Sequence, residues 1–362
     1  MKKQGLSFIL TILILAIFNN PIYCQVETTF KHVSIGFYNL ENLFDTINDE
    51  ELILSEEFTP ESEKKWNSTR YQEKLTNMAL VISKIALEET PEGLALLGVC
   101  EVENRGVMED LVNEPSIKER NYQIVHYDSP DARGIDVGFL YNPTYFEVTN
   151  TKSYKLSLPN DPNYLSRDQL VVSGKLDEEE IFVIVNHWPS RRGGEEKSRH
   201  KRNAAGNLTR HIVDSLLLMD ENVKILVMGD LNDDPVNESV LKHLKAKGNQ
   251  NELKEGELFN PMYQLQKDGF GTLAYRDTWN LFDMVIVSQG LLGEKISDYK
   301  FQKAVVFNKN FLKQKEGKYA GYPNRTFGGK KYLGGYSDHF PVYVILKKED
   351  SGDKKKEKKK KK

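Results

Sequence analysis

The chain of 362 residues contains only two cysteines, Cys24 and Cys100. Cys24 directly follows an N-terminal apolar segment, so a chain cut after that segment would hold one thiol and no intrachain disulfide. Groups of Cys and His at zinc-ligand spacing are also missing from the sequence. These absences exclude a disulfide-stapled module and a zinc module. They favour a domain that is stable through its hydrophobic core alone.

The N-terminal apolar run, residues 6–18, is too short to span a bilayer, which takes about 20 residues. It follows Lys2 and Lys3 and precedes the polar segment 19–25. This order is typical of a secretory signal peptide. We therefore interpret residues 1–24 as a signal peptide, and we expect a secreted or periplasmic protein without a stable membrane span.

A lipid anchor on Cys24 is the alternative interpretation of the same segment. The residues before it, Ile22 and Tyr23, are bulkier than the small residues that such a site resembles. The signal peptide is therefore the favoured reading.

Acidic residues outnumber basic ones in the middle of the chain. The whole chain has a net charge of −3. Residues 347–362 hold ten lysines against four acids and residues 1–24 add two lysines, so residues 25–346 carry a net charge of −11. This balance argues against a protein that coats nucleic acid through a broad basic face, but not against an enzyme whose bound cation supplies the positive charge. We interpret residues 347–362 as a disordered Lys-rich tail.

What the chain does contain is a series of apolar segments. Continuous apolar runs at 94–100 and 223–228 predict strands that are buried on both faces. Apolar residues at helical spacing predict helices over about 71–87 and 196–219. Many strands and few long helices predict an α/β protein in which two sheets pack face to face with helices outside. No linker interrupts residues 26–346, so we expect one domain, and we expect it to be a monomer.

Polar residues recur where these apolar segments end. They are Asn39, Glu101, His187, Asp230, Asn232, Asp283, Asp338 and His339. Carboxylate and amide oxygens suit a hard cation such as Mg²⁺ or Mn²⁺. The imidazoles and amides can donate hydrogen bonds to phosphate oxygens, and an extra Asp can orient a His or accept a proton from attacking water. Glu103 would point to the same side as Glu101 in an extended chain and could share its role.

Seven short motifs follow one another along nearly the whole mature chain. They are Tyr38-Asn39 with Glu41-Asn42, Glu101, Arg133–Val137, Asn186–Ser190, Gly229–Asn232, Phe282-Asp283 and Ser337–Val342. In this order they resemble the endonuclease/exonuclease/phosphatase superfamily. The resemblance implies a four-layered α/β sandwich of two mixed β-sheets with helices outside, and a metal-dependent phosphoric ester hydrolase. Together with the signal peptide it indicates an exported bacterial member.

The resemblance also implies a metal site. Glu101 would be the central ligand of Mg²⁺, with Mn²⁺ as the alternative cation, and Asn39 and Asp338 would lie nearby.

Further roles follow from the same resemblance. Asp230 would orient or deprotonate the attacking water, and Asn232 would hold the scissile phosphate. His187 and His339 would stabilise phosphate charge, with Asp283 fixing the tautomer of His339. His339 is also the other candidate for the general base.

The substrate is the least determined part of this reading. Arg133, Arg191 and Arg192 are candidates for gripping substrate phosphates, and a solvated loop is the alternative. We expect a nuclease that hydrolyses phosphodiesters of nucleic acid. The same chemistry on an inositol phosphate, on sphingomyelin or on another phosphate ester is the alternative, and a non-enzymatic binding protein is a third hypothesis.

Overall fold

Strands make up most of the regular structure, as the apolar segments predict. The computed structural model describes residues 29–52, 54–158 and 160–350, so the predicted signal peptide and residues 351–362 lie outside the described residues. The strands within the described ranges are β1 (Phe30–Leu43), β2 (Leu94–Val102), β3 (Gln123–His126), β4 (Asp136–Tyr141), β5 (Phe146–Tyr154), β6 (Gln169–Leu176), β7 (Glu179–His187), β8 (Ile225–Asp230), β9 (Ala246–Lys247), β10 (Leu258–Phe259), β11 (Leu273–Tyr275), β12 (Thr278–Asn280), β13 (Asp283–Val287), β14 (Lys300–Val306), β15 (Phe327–Gly328), β16 (Lys331–Tyr332) and β17 (Val342–Glu349).

Helices are fewer and lie between the strands. The α-helices in the described ranges are α1 (Ser68–Lys84), α2 (Arg105–Val112), α3 (Glu195–Leu217) and α4 (Met262–Lys267). Helical turns of other types cover Ser55–Phe58, Lys118–Arg120, Ser239–His243, Gln250–Glu252, Gln289–Leu291 and Asn310–Leu312. The two long helices match the predicted ones with boundaries shifted by a few residues. At α1 the shift arises because Asn67 caps the helix by accepting the N–H of Arg70 at 3.1 Å.

Two large sheets contain most of the strands. Sheet I has six strands in the order β14-β17-β1-β2-β4-β3, and sheet II has seven in the order β5-β6-β7-β8-β13-β10-β9. Each sheet is mixed, because β1 and β2 run parallel in sheet I and β7 and β8 run parallel in sheet II, while their other neighbours are largely antiparallel.

The inner faces of the two sheets pack against each other. A Cβ atom placed on Gly98 of β2 would come within 2.5 Å of the sulfur of Met228 on β8, so the sheets approach closely there. Gly138 on β4 points the other way, towards Met108 of α2. Sheet I is thus covered by sheet II on one face and by helix on the other.

Helix α3 covers the outer face of sheet II. The hydroxyl of Thr209 on α3 lies 2.9 Å from the Gln169 side-chain oxygen and 3.1 Å from that of Asn186, both on sheet II. The order helix, sheet, sheet, helix confirms the predicted four-layered α/β sandwich.

The last strand is longer than the sequence suggests, which corrects the start of the predicted tail at residue 347. Strand β17 continues to Glu349, which pairs with Phe30 of β1. Lys348 forms a 2.7 Å ion pair with Glu179, and the ammonium group of Lys347 lies 3.7 Å from the ring of Phe30. The Lys-rich composition suggested a tail from residue 347. In the fold, strand pairing and these contacts hold Lys347 and Lys348, which would otherwise be solvated.

Residues Phe30–Glu349 form one compact unit. Within the part of the chain that the structure describes, no helix has the length and apolar character needed to cross a bilayer.

Candidate active site

Sheet I contributes two side chains through an irregularity in its central strands. Strands β1 and β2 pair in parallel up to Asn39 and Cys100, after which the register shifts. Glu41, Asn42 and Glu101 all have positive φ, between 49° and 59°. This backbone turns the carboxylate of Glu101 out of a buried strand, where one oxygen accepts the N–H of Asn42 at 3.0 Å.

Glu103 does not share the position of Glu101, which corrects the expectation that the two point the same way. One oxygen of Glu103 accepts the N–H of Asp45 at 2.8 Å. The left-handed residue at Glu101 breaks the alternation of side chains on which the expectation rested.

Sheet II contributes a row of three side chains by register alone. His187 at the end of β7 is the partner of Asp230 at the end of β8, and Asp230 is the partner of Asp283 at the start of β13. All three are buried. Strand register therefore places an imidazole and two carboxylates side by side.

Asp230 lies at the centre of the assembled site. Its Oδ2 atom accepts a hydrogen bond from the amide nitrogen of Asn39 at 3.1 Å. The same oxygen is 3.8 Å from Nε2 of His187 and 3.9 Å from Nε2 of His339. Nε2 of His187 is also 3.9 Å from Oε1 of Glu101. Side chains from both sheets thus converge on one small volume.

His339 enters this volume from the loop before β17. Its Nδ1 atom is 2.7 Å from Oδ2 of Asp283, so the carboxylate holds the proton on Nδ1 and directs Nε2 towards Asp230. The backbone N–H of His339 donates to the hydroxyl of Ser337 at 3.1 Å, and that hydroxyl donates to the carbonyl of Asn39 at 2.7 Å. Ser337 therefore ties the loop to sheet I.

The two imidazoles differ in charge. Burial, reinforced by the charges of Arg167 and Arg133, holds the pKa of His187 well below its usual value, so His187 is neutral at neutral pH. Burial also acts to lower the pKa of His339, but the carboxylates of Asp283 and Asp230 outweigh it and hold that pKa well above its usual value. One imidazole can therefore donate as a neutral group and the other as a cation.

Burial, the largest cause, raises the pKa of Asp230 to about 7. The nearby charge of Asp283 acts in the same direction, while His339 opposes it. A carboxylate with a pKa near the working pH suits general-base catalysis.

Asn232 lies two residues beyond Asp230 and has a positive φ of 50°. Its N–H donates to Oδ1 of Asp230 at 2.9 Å, and its amide nitrogen donates to the carbonyl of Trp188 at 2.9 Å. The turn is thus built around Asp230 rather than being a helix cap.

Asp338 directly precedes His339 and takes part in a charged network at the edge of the site. Its carboxylate is 2.7 Å from the guanidinium of Arg325, which also lies 3.4 Å from Glu41. Glu41 is buried and accepts the backbone N–H of Thr326, and burial followed by the charge of Asp338 raises the pKa of Glu41 to about 7. Asp338 therefore borders the site in a charged network with Arg325 and Glu41.

Sequence reasoning missed most of that network. Glu41 falls inside a recognised motif but received no role. Lys74 is buried in α1, where its ammonium group donates to the carbonyl of Tyr336 at 2.6 Å and burial lowers its pKa to about 8. The position of Lys74 next to the apolar face of a predicted helix could have indicated that it is buried. Arg325 lies in a loop and gave none.

Arg191 is held entirely by the protein, which corrects its expected role in gripping phosphate. Its guanidinium donates to the carbonyl of Asn232 at 3.0 Å, to Glu195 at 2.9 Å, to Asp233 at 3.1 Å and to Asn237 at 3.0 Å. Acidic residues that are distant in sequence meet Arg191 only in the folded chain. Arg191 positions the Asn232 turn.

The other two candidate arginines lie beside one pocket with Arg167. Arg133 is partly exposed and lies 3.3 Å from Asp131. The side chain of Arg192 has neither a hydrogen-bond partner nor an ion-pair partner among the described residues.

The donor set fits a hard divalent cation. Glu101 keeps 17 % of its side chain exposed, and carboxylates from two sheets face one another across the site. Asn39 uses one lone pair of its oxygen for the N–H of Glu41 at 2.9 Å and retains the other. Cys100 adjoins His187 and Asp230, but burial raises the pKa of its thiol, which disfavours soft-metal ligation. Oxygen ligands therefore dominate.

Comparison with protein families decides the classification. The family model described as "Endonuclease/Exonuclease/phosphatase family" matches residues 34–348. The chain belongs to this family. Its members are metal-dependent phosphoester hydrolases, and so is this enzyme. The comparison with curated proteins finds no significant match.

Solved structures of this family share the fold at low sequence identity. A humanised D. rerio TDP2 with 14 mutations has a TM-score of 0.52 at 11 % identity, covering 87 % of this chain and 98 % of that one. A Bacteroides thetaiotaomicron family protein has a TM-score of 0.51 at 14 % identity, covering 88 % and 98 %. The B. thetaiotaomicron mannosyl-6-phosphatase Bt3783 has a TM-score of 0.50 at 14 % identity, covering 87 % and 99 %.

Proposed function

We propose that this enzyme is an exported, Mg²⁺-dependent nuclease that hydrolyses phosphodiester bonds of nucleic acid. The observation that carries the choice of substrate is an open cleft of about 740 Å³ that includes Asp338 at the edge of the site. Its wall contains three tyrosines, Tyr275, Tyr319 and Tyr322. Aromatic faces on which bases stack, beside cations that meet the backbone, are the usual means of holding a single strand.

The cations of this cleft are Arg276, Lys318, Arg325 and Lys331. Tyr275 and Tyr319 are both exposed, at 62 % and 48 %. The hydroxyl of Tyr322 donates to Asp277 at 2.6 Å, which fixes the β11–β12 turn against the opposite wall. A family structure, D. rerio TDP2, has been solved with a single-strand DNA product.

The reaction we propose is in-line attack of water on phosphorus. Glu101 and Asn39 would hold the cation, which polarises a phosphoryl oxygen when bound. Asp230 takes the proton from the attacking water, since its raised pKa makes it an effective base. His339 is excluded from that role in this scheme because both its ring nitrogens carry protons.

The imidazoles then act on the developing charge. Neutral His187 donates from Nε2, the nitrogen that faces Glu101 and Asp230, because its Nδ1 is buried without a partner among the described residues. Cationic His339 donates from Nε2 while Asp283 holds Nδ1. Preorganised donors of this kind are usually the largest contribution to catalysis.

A second candidate substrate is a small phosphate ester such as an inositol phosphate, a sugar phosphate or a lipid headgroup. The cleft volume of about 740 Å³ falls within the range for small-molecule sites, roughly 300–1,000 Å³. The charge of −11 over residues 25–346 also disfavours a long nucleic-acid duplex.

A substrate panel tests the proposal and separates the two candidates. The enzyme lacking residues 1–24 is assayed in Mg²⁺ and in EDTA on plasmid DNA, single-stranded RNA, an inositol polyphosphate, sphingomyelin and an aryl phosphodiester, with His339→Ala as the control. We expect metal-dependent cleavage of nucleic acid that the variant lacks. Turnover of another ester with nucleic acid left intact would keep the catalytic centre and replace the substrate.

Export and a monomeric state remain part of the proposal. Residues 1–24 support export by their order of charged, apolar and polar segments. Fractionation of producing cells with N-terminal sequencing tests the cleavage, and light scattering tests the monomer.

A further inference from the structure

We propose that a cationic pocket beside the catalytic centre binds a second phosphate of the substrate, next to the one that is cleaved. The cationic pocket has a volume of about 470 Å³, and its basic side chains are Arg133, Arg167, Arg192, Lys197, His200 and Lys201. The inference rests on the proposed phosphoesterase function, and it names a feature of the substrate that this function leaves open.

The pocket is positively charged, although the domain that contains it has a negative net charge. Five of the six side chains are permanent cations, whereas residues 25–346 as a whole carry a net charge of −11. Among the described residues that line the pocket, Asp131 is the one acid. Its two oxygens are already engaged by Arg167 at 3.0 Å and by Arg133 at 3.3 Å. The remaining positive charge is therefore available to a ligand.

Three of the cations have free hydrogen-bond donors. In the described part of the chain, the side chains of Arg192 and Lys197 have no hydrogen-bond or ion-pair partner. The ammonium group of Lys201 lies 4.1 Å from the ring of Tyr164, a contact that leaves its hydrogen-bond donors open. A phosphate, with several acceptor oxygens, satisfies donors arranged in this way.

Arg191 and Arg192 differ completely in their contacts with the protein. Arg191 and Arg192 are adjacent in sequence, yet the first has every guanidinium nitrogen bound to the protein and the second has none. Gly193 and Gly194 follow with φ of 84° and 114°, a backbone that side chains disfavour. The loop thus presents one arginine to the fold and the other to the pocket.

A buried arginine that lines the pocket is hydrogen-bonded to the backbone of the catalytic centre. Arg167 is 4 % exposed, and its guanidinium donates to the carbonyls of His187, at 3.1 Å, and Trp188. The carbonyl of Trp188 also accepts the amide of Asn232 at 2.9 Å. Arg167 and Asn232 thus donate to the same carbonyl, which links the wall of the pocket to a residue proposed to hold the scissile phosphate.

A pair of dinucleotides tests the inference. The first is TpT, which has one phosphodiester, and the second is pTpTp, which adds a phosphate at each end so that either direction of binding is covered. We expect the wild-type enzyme to have a kcat/KM for pTpTp at least about tenfold above that for TpT, since about 1.4 kcal/mol corresponds to a factor of ten. The Arg192→Gln/Lys197→Gln double variant should lower this ratio to within about twofold of one.

Arg199→Gln is the matched control. Arg199 lies on α3, as Lys197 does. It forms an ion pair with Glu196 and does not line the pocket. It should keep the wild-type ratio. A ratio near one in the wild-type enzyme, or a ratio that survives in the double variant, overturns the inference.

A second measurement separates this inference from the proposed nuclease activity. If neither dinucleotide is cleaved while another phosphate ester is, the proposal that the substrate is nucleic acid fails. Calorimetric binding of fructose 1,6-bisphosphate and of fructose 6-phosphate then tests whether the pocket binds a second phosphate. Preference for the bisphosphate of about tenfold in the wild-type protein that is lost in the double variant supports a second phosphate site. Equal binding of the two sugars overturns it.

Discussion

The two sheets bring different chemistry to the catalytic centre and position it in different ways. Sheet I offers Glu101 and Asn39 from strands whose register shifts at a stretch of positive φ. Sheet II offers His187, Asp230 and Asp283 from a regular row of paired strands. We call Glu101 and Asn39 the metal half, and its geometry depends on a locally strained backbone. We call His187, Asp230 and Asp283 the acid–base half, and its geometry depends on strand register. Each half can be broken without the other.

The largest effect is expected from breaking the metal half. Glu101→Gln should lower kcat on an aryl phosphodiester by about a thousandfold or more, because the cation loses its central carboxylate. Mn²⁺ affinity, measured by electron paramagnetic resonance, should fall with it.

Glu103→Gln is the matched control for Glu101→Gln, since its carboxylate holds the Asp45 N–H instead. It should keep the affinity for Mn²⁺. Full activity of Glu101→Gln would contradict the assignment of the metal half.

Breaking the acid–base half should give the next largest effect. Asp283→Asn removes the charge that holds His339 as an oriented cation, so kcat should fall by about a hundredfold. Affinity for Mn²⁺ should stay the same, which distinguishes the two halves. Asp168→Asn, a partly buried aspartate that accepts from Ser153, serves as the control and should leave kcat unchanged. Loss of Mn²⁺ binding in Asp283→Asn would show that the halves are not separable.

A third variant acts where the two halves meet. Gly98→Ala places a Cβ within 2.5 Å of the sulfur of Met228, so the Met228 side chain must repack between the sheets. We expect the free energy of unfolding to fall by about 1–3 kcal/mol, measured by urea denaturation. Adding Met228→Val should restore part of the loss. Additive losses in the double variant would argue against a direct clash.

The smallest effect is expected at the hydrogen-bond link between the halves. Ser337→Ala removes the hydroxyl that joins Asn39 to the loop of His339 and should cost about 1 kcal/mol, with a modest decrease in kcat. Ser166→Ala is the control, because its buried hydroxyl has no partner among the described residues. Equal destabilisation by the two variants would mean that the link does not matter.

Much of the fold was predictable because its signals are local. The apolar runs that predicted buried strands form β2 and β8, and helical spacing located α1 and α3. Strand β5 (Phe146–Tyr154) escaped prediction because it alternates exposed and half-buried positions in a polar segment. The end of β17 escaped because its lysines are held by β1 and Glu179 rather than by their own sequence.

The residues of the candidate site were likewise predicted in part. His187, Asp230, Asp283 and His339 meet as the motif order implies, because strands that end at one edge of a sandwich bring their terminal residues together. Glu103 and Arg191 lie elsewhere than expected. The direction of Glu103 depends on one left-handed residue, and that of Arg191 depends on partners that are distant in sequence.

The sequence by itself determined the family, the layered architecture and the set of residues at the strand ends, because side-chain chemistry and the periodicity of burial are properties of short segments. Only the tertiary structure decided which of two adjacent arginines is free, where Glu101 points and which imidazole carries a charge. These outcomes depend on backbone dihedrals and on the electrostatic sum of groups brought together by folding, and neither is encoded in a single stretch of chain.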